Sequence, residues 1–327
     1  MKTTLPAWLP YWQIFWNKTM WRECRCYCLA MLLALSLVLP VRAASLPAPQ
    51  EVSIPLPGAG LFGSTLDMPA LLYRPAGDGP FPVLLFSHGR AGSTQERHQL
   101  KYPMGRSQIA YWLAKGFIIV APIRPGYGNT GGGDPEYHSA RMLAPGQCSG
   151  HPDYRHTAEA GGAAVQAAIR WIARQPWGAG QPIVLEGQSV GGLLTVAVGA
   201  SAPPGVVAYI NFAGGAGGNP EKSPGQSCEP QALTALYADF GRHTVLPNLW
   251  LYAENDQYWG ADEPVAWHQA FAAGGSPTRF VHAPAVADGD GHGLSRHPAA
   301  LWAAPLDDFL QSLPVLAGRM NRVAATP

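Results

Sequence analysis

The sequence predicts an α/β fold, a doubly wound and mostly parallel sheet with helices on both faces. Three observations predict it. From residue 81 onward, short apolar runs alternate with segments of helical periodicity, as βαβ units require. The runs themselves, such as Pro82-Val83-Leu84-Leu85-Phe86 and Phe117-Ile118-Ile119-Val120-Ala121, are apolar throughout, which suits strands buried on both faces. Finally, Arg90, Ser189, Asp256 and His292 each fall just past an expected strand end, and open parallel sheets bind ligands outside the carboxyl ends of their strands.

Taken in order, residues 51–56 alternate like a strand, and Pro55 marks that strand as an edge. Residues 68–73 and 81–86 read as the next two strands. A helix over 107–115 places Ile109, Trp112 and Leu113 on one face and stops at Gly116. Strand 117–122 leads into a long glycine-rich loop. Helix 157–174 spaces Ala164, Val165, Ala168, Ile169 and Ile172 three to four apart. Strand 182–186 ends in Gly187-Gln188-Ser189-Val190-Gly191-Gly192. Strand 206–212, helix 231–240, strand 249–252, helix 264–273 and strand 278–282 follow, and an amphipathic helix over 299–313 closes the chain. Asp288-Gly289-Asp290-Gly291-His292-Gly293 reads as a flexible loop after the last strand.

The 327 residues suffice for one large α/β domain. There is no internal repeat and no linker-like stretch, so 45–327 is expected to be a single domain with irregular insertions near 123–155 and 213–245. Charged residues make up 13% of the chain and the net charge is +1, with no basic stripe, which gives no electrostatic case for a nucleic-acid partner. Residues 1–44 read as an export signal. Arg22 and Arg25 precede the apolar run that begins at Cys28, and the small residues Ala43 and Ala44 supply a cleavage site. The run is shorter than the roughly 20 apolar residues a spanning helix needs, so no stable membrane anchor is expected after its removal. Translation from Met20 would leave a signal of ordinary length. After cleavage two of the five cysteines remain, Cys148 and Cys228, an even number in an oxidising compartment. Bridged, they would close a loop of about 80 residues and contribute roughly 4 to 5 kcal/mol in the chain-entropy description.

The pattern Gly187-x-Ser189-x-Gly191 between a strand and a helix is that of a serine presented on a sharp, strained turn. Side chains at the two flanking positions would collide, which accounts for the glycines. A serine hydroxyl is a poor nucleophile at its free pKa and needs a base within reach. His292 is the expected base, and Asp256 the carboxylate that would fix its tautomer, with Glu254 and Asp262 as rivals. Val190 N–H, at the head of the new helix, and the backbone N–H of Arg90 are the expected oxyanion donors. The Arg90 side chain reads as a solvated surface group, and His88 as a structural residue of that loop. Tyr258 and Trp259 fit a pocket wall or the core equally well. Asp288 and Asp290 resemble a calcium loop, but its twelfth position would be Ala299 where a glutamate is needed, so no metal site is expected.

Together, Phe86-Ser87-His88-Gly89-Arg90, Arg124-Pro125-Gly126-Tyr127-Gly128, the serine motif, Asn255-Asp256 and Gly291-His292-Gly293 resemble the α/β-hydrolase superfamily over roughly residues 65–315, and within it the dienelactone-hydrolase-like and carboxylesterase members. True dienelactone hydrolases carry a cysteine where this chain has Ser189. The resemblance implies hydrolysis of a small-molecule ester, thioester or lactone without a cofactor. A peptidase or amidase of the same fold and a non-catalytic binding protein are the competing readings. The two insertions follow core strands and are expected to form a rim above the site, tied by Cys148 and Cys228.

Overall fold

The structure is a computed structural model that describes residues 46–323. The expected export segment, residues 1–44, lies outside them. One sheet holds eight strands in the order β1 (Gln50–Leu56), β2 (Leu66–Tyr73), β4 (Ile118–Pro122), β3 (Val83–Ser87), β7 (Ile183–Gln188), β8 (Val206–Phe212), β9 (Asn248–Ala253) and β10 (Thr278–Ala283). β1 runs antiparallel to β2, and β2 antiparallel to β4. The remaining neighbours are parallel. Pro55 does sit on the edge strand, where its missing N–H breaks no ladder. Two short strands, β5 (Met142–Ala144) and β6 (Gln147–Cys148), form a separate hairpin in the first insertion.

Successive side chains of a strand point to opposite faces, and here that alternation feeds two cores. Val83 and Leu85 of β3 join one core, Leu84 and Phe86 the other. Trp250 and Tyr252 of β9 face the first, Leu249 and Leu251 the second. The first core is covered by α3 (Tyr154–Ala173), α4 (Val190–Ala200), α5 (Pro230–His243) and α6 (Asp262–Ala272), through residues such as Ile169, Leu193, Leu233 and Phe271. The second is covered by α2 (Arg106–Ala114), α7 (Ala303–Gln311) and α8 (Pro314–Val323), through Trp112, Phe309 and Leu316. A parallel strand buried on both faces therefore has no polar face, which is why its sequence shows no alternation.

Local chemistry moves some element bounds away from the sequence reading. The helix expected from residue 157 starts at Tyr154, because the Asp153 side chain caps it by accepting from His156 N at 2.8 Å. The helix expected over 299–313 is broken: a 3-10 turn over Ala299–Leu301 is followed by Trp302 outside helical geometry, and α7 restarts at Ala303. Pro305 donates no N–H and its ring crowds the carbonyl four residues earlier, so a continuous helix cannot pass Leu301. The capped helix α1 (Thr94–His98), the β5–β6 hairpin and α8 have no counterpart in the sequence reading.

Strand register aligns the loops. Ser87 pairs with Gly187, so the segment beginning at His88 leaves the sheet beside the turn that carries Ser189. Ala253 pairs with Ala283, so the loops after β9 and β10 also leave side by side.

One ionisable side chain enters the second core from the serine strand. Glu186 is fully buried and accepts from Gln108 Nε2 at 2.6 Å and Trp112 Nε1 at 2.8 Å, both on α2. Burial pushes its carboxyl up to about 8, against the pull of those two donors. An unfolded glutamate titrates near 4.5. Between those values the folded state holds a proton that the unfolded chain has released, so this group makes stability fall as pH rises. Glu186→Gln removes the titration. Its stability relative to the native chain should rise by roughly 3 kcal/mol from pH 5 to pH 8, on top of a pH-independent offset, as measured by urea unfolding across that range. A constant difference would mean that the carboxyl does not titrate there.

Candidate active site

Ser189 lies between the end of β7 and the start of α4, with φ 58° and ψ −129°. A side-chain-bearing residue rarely adopts that region, and the surrounding backbone holds it there. Ser189 N donates to Phe212 O at 3.0 Å. Its carbonyl accepts from Gly192 N at 2.8 Å and from Gly215 N at 3.2 Å. A Cβ on Gly187 would collide with the Gly191 carbonyl, and one on Gly191 with the carbonyls of Ser87 and His88. Both glycines are therefore required by close backbone approach, as the sequence pattern implies. Val190 N is the first amide of α4, at the positive end of the helix dipole and without an acceptor inside the helix.

The other half of the site is built where the loops after β9 and β10 meet. His292 Nδ1 donates to Asp256 Oδ2 at 3.0 Å. The other carboxylate oxygen, Oδ1, accepts from the backbone amides of Tyr258 at 2.8 Å and Trp259 at 3.1 Å. Asp256 is 2% exposed. Its rivals are elsewhere: Glu254 and Asp262 are both exposed. With Nδ1 committed as a donor, His292 keeps Nε2 as its accepting nitrogen. The Tyr258 ring stacks on the imidazole with centroids 4.0 Å apart, and Trp259 meets it edge-on at 5.3 Å. Both line the cavity, and Trp259, 2% exposed, also packs in the first core and anchors its indole N–H on Ala213 O at 2.8 Å. One turn thus bonds to the imidazole from one side and grips its ring from another.

His292 does not sit in a flexible loop. It lies in a 3-10 turn over Gly291–Arg296 capped by Asp290, and the ordering comes from side chains that mimic a backbone. Asp290 Oδ1 accepts from His292 N at 2.9 Å and from Gln257 N at 2.8 Å, which joins the two loops. Asn255 adds a second stitch, donating to Val286 O at 2.9 Å and accepting from Val286 N at 2.9 Å. Gln188 Nε2 donates to His292 O at 3.0 Å and ties the loop to the residue before Ser189. Asp290 is thus an organiser of backbone amides.

Ser189 and His292 line one cavity of about 1160 Å³, together with His88, Arg90, Val190 and Tyr258. No hydrogen bond joins Ser189 Oγ to the His292 ring among the described residues; the serine and the Asp256–His292 pair share a wall. Such contacts commonly tighten only when substrate is bound. Gly89 presses on the serine: a Cβ there would meet Gln188 Oε1 at 2.7 Å and Ser189 Cβ at 3.0 Å. His88 is 3% exposed, donates from Nδ1 to Gly89 O at 2.8 Å and accepts at Nε2 from Arg124 N at 3.2 Å. Burial, with the Arg124 guanidinium beside it, holds this imidazole well below its usual titration range. With both nitrogens occupied, His88 is structural, as expected.

The Arg90 side chain is not the solvated group its sequence position suggested. Its guanidinium pairs with Asp134. Next to it, Arg124 and Glu136 form a bidentate pair at 2.6 and 3.2 Å, with the side chains 2% and 0% exposed. The sequence reading missed Asp134 and Glu136, and the one signal available was two acids close behind the quoted Arg124-Pro125-Gly126-Tyr127-Gly128. Cys148 and Cys228 lie with their Cα atoms 5.7 Å apart, inside the range a bridge requires.

Residues 64–235 match the family model of the X-Pro dipeptidyl-peptidases, the S15 family. The chain belongs to this family. It is a hydrolase of the α/β-hydrolase superfamily. Among solved structures, a Pyrococcus furiosus esterase matches with a TM-score of 0.52 and 14% identity over 82% of this chain and 93% of its own. Est1E of Butyrivibrio proteoclasticus with ferulic acid bound matches at 0.50 and 15% identity, over 80% of this chain and 98% of its own. Pyrococcus horikoshii acylaminoacyl peptidase matches at 0.50 and 13% identity, over 82% of this chain and 42% of its own. At these identities the likeness is one of fold. Among curated proteins, no sequence matches the chain.

Because Asp290 organises both loops through one oxygen, Asp290→Ala should free the amides of Gln257 and His292 together. Hydrogen exchange read by mass spectrometry should show both segments exchanging about tenfold faster or more, with β7 and β8 unchanged. Loosening of one segment without the other would refute the shared role.

Proposed function

We propose that this hydrolase is an exported serine esterase that works through Ser189, His292 and Asp256. The observation that carries the reading is the Asp256–His292 hydrogen bond, which leaves the His292 Nε2 to accept a proton beside the strained serine in one cavity. His292 Nε2 takes the Ser189 hydroxyl proton as Oγ attacks the acyl carbonyl carbon. The oxyanion is held by the N–H groups of Arg90 and Val190. The tetrahedral intermediate collapses, the ester C–O bond breaks, and His292 returns its proton to the departing alkoxide. Water then adds to the acyl-enzyme with His292 again as base, and the acid leaves Ser189 unchanged. Asp256 keeps its carboxylate charge throughout and stabilises the imidazolium. No step calls for a cofactor.

An ester is favoured over an amide by the resemblance of the motifs to carboxylesterases. A peptide substrate is the second reading, supported by the family match. The two separate in a rate comparison between p-nitrophenyl esters and p-nitroanilides of the same acyl group. The esterase reading expects activity on the esters at least a hundredfold above any on the anilides. The reverse order would move the protein to the peptidases. In either case Ser189→Ala should lose at least about a thousandfold in kcat and all labelling by a fluorophosphonate probe. Retention of the native rate by that variant would remove the site reading altogether.

Export and the bridge are part of the same proposal. N-terminal sequencing of protein recovered outside the cytoplasm should begin after Ala43 or Ala44. Intact-mass measurement should find Cys148 and Cys228 unreactive to alkylation until reduced. The pair lies where the β5–β6 hairpin docks on the second insertion, since Met142 N donates to Gly217 O at 3.2 Å and Asn219 Nδ2 donates to Met142 O at 3.0 Å. Gly217 and Asn219 also line the serine cavity, so the bridge would brace the rim above the site. Two free thiols in the exported protein would discard that brace.

A further inference from the structure

The oxyanion donor expected from the loop after β3 belongs to a tripeptide, His88-Gly89-Arg90, that has no regular secondary structure to fix it. A backbone N–H stabilises an oxyanion only if its direction is set beforehand, because reorienting it during reaction would cost the energy it supplies. What sets the direction here comes from the first insertion. Arg124 holds the front of the tripeptide: its Nη1 donates to His88 O at 2.6 Å and to Ser87 Oγ at 3.2 Å, and its amide donates to the His88 ring at 3.2 Å. Glu136 fixes Arg124 bidentately and takes a third bond from the Tyr127 hydroxyl at 3.0 Å. Asp134 holds the back of the tripeptide through the Arg90 guanidinium. The two acids are themselves joined, since Glu136 N donates to Asp134 Oδ1 at 3.0 Å.

The result is a closed circuit. It runs from His88 through Arg124 and Glu136 to Asp134, and back through the Arg90 side chain to the Arg90 backbone. Gly89 lies between the two tethers, pressed against Ser189. The turn that carries the acids is folded back by glycines: Gly126 N donates to Gly131 O at 2.7 Å, and Gly126 has φ +83° with no room for a Cβ beside Asp134. Asp134 is 13% exposed and Arg90 20% exposed, so the pair is shielded enough to hold a geometry but is not part of the core. A second guanidinium, that of Arg97 on α1, approaches the same carboxylate at 3.6 Å. Asp134 is therefore the shared negative partner of two arginines, of which Arg90 lines the cavity.

We infer that Asp134 is a positioning residue for catalysis: by holding the Arg90 side chain, it aims the Arg90 N–H at the developing oxyanion of the acyl group on Ser189. It touches no reacting atom. The inference rests on the proposed role of the Arg90 amide. A displacement of the order of 1 Å in a preorganised donor costs as much as a hundredfold in rate, so loss of the tether should be visible although the donor itself is backbone and cannot be mutated away.

The test is a double-mutant cycle on p-nitrophenyl ester hydrolysis with Asp134→Asn, Arg90→Ala and the pair combined. Each single variant should lose about 10- to 100-fold in kcat with KM within about twofold. The double variant should lose no more than the worse single one, because both changes cut the same link. Binding of a boronic acid, which mimics the tetrahedral adduct, should weaken in proportion to kcat/KM, while binding of the product acid should not. Arg90→Lys, which can still reach Asp134, should recover part of the loss in the native background and none in the Asp134→Asn background. Native-like thermal unfolding separates these effects from loss of fold, and Arg90→Ala tests the link with Asp134 intact should Asp134→Asn prove unstable. Full activity in both single variants, or losses that simply multiply in the double variant, would overturn the inference. If Ser189→Ala itself remains active, the underlying site reading fails first; if it is dead while the Asp134 and Arg90 variants are not, the positioning role alone fails.

Discussion

The constraint on which the rest of this molecule depends is the backbone of Ser189. A non-glycine residue at positive φ costs on the order of 1–3 kcal/mol, and it persists only where its surroundings over-determine it. Here they do. Ser189 is bonded through its own N–H to β8 and through its carbonyl to α4 and to Gly215 beyond β8. The glycines on either side are there because strand and helix backbones approach within atomic contact. The bond to Phe212 and the position of Gly215 follow from the parallel pairing of β7 with β8, so the sheet and the strained serine are one design. Remove the register and nothing holds the hydroxyl where it stands.

The second half of the site solves the same problem without strain. His292 and Asp256 lie beyond neighbouring strand ends, and no regular element connects them. Carboxylates and a carboxamide stand in for a ladder: Asp290, Asn255 and Asp256 each bind backbone amides of their own or the adjoining loop. The aromatic side chains that follow Asp256 then fix the imidazole ring. A side chain that binds two amides replaces the pair of backbone bonds that a strand would have supplied. This is why a glycine-rich stretch with two aspartates turns out to be ordered.

What could be read from the chain and what could not divide along a physical line. Strands buried on both faces announce themselves by composition, so β3, β4 and β7 to β9 were legible to within a few residues, while the short β5–β6 hairpin was not. The serine turn was legible because its glycines are demanded by sterics at fixed spacing. His292 and Asp256 were singled out from chain order and strand ends, and the structure brings the two side chains into hydrogen-bond contact. Asp134 and Glu136 were invisible, since an ion pair across the fold leaves no periodicity and either acid reads alone as a loop residue. The Arg90 side chain was misplaced for the same reason: a position three residues beyond a strand end and directly after a glycine suggests solvent unless its partner is known. The break at Trp302 was readable in principle from Pro305, but the amphipathic pattern on either side of it outweighed that single residue.

The two halves of the site are also supported differently, and that difference bears on how such a fold changes substrate. Ser189 is held by the central strands, which cannot move without the cores. The Arg90 side chain is held by Asp134 from an insertion, and the rim above the cavity is held by the contact between both insertions. Insertions can lengthen or shorten at small entropic cost. A chain of this kind can therefore vary its cavity wall while Ser189 stays fixed, provided the insertion still supplies a carboxylate for the Arg90 guanidinium. On that argument Asp134 marks the point where the insertion meets the loop that leaves β3 beside Ser189.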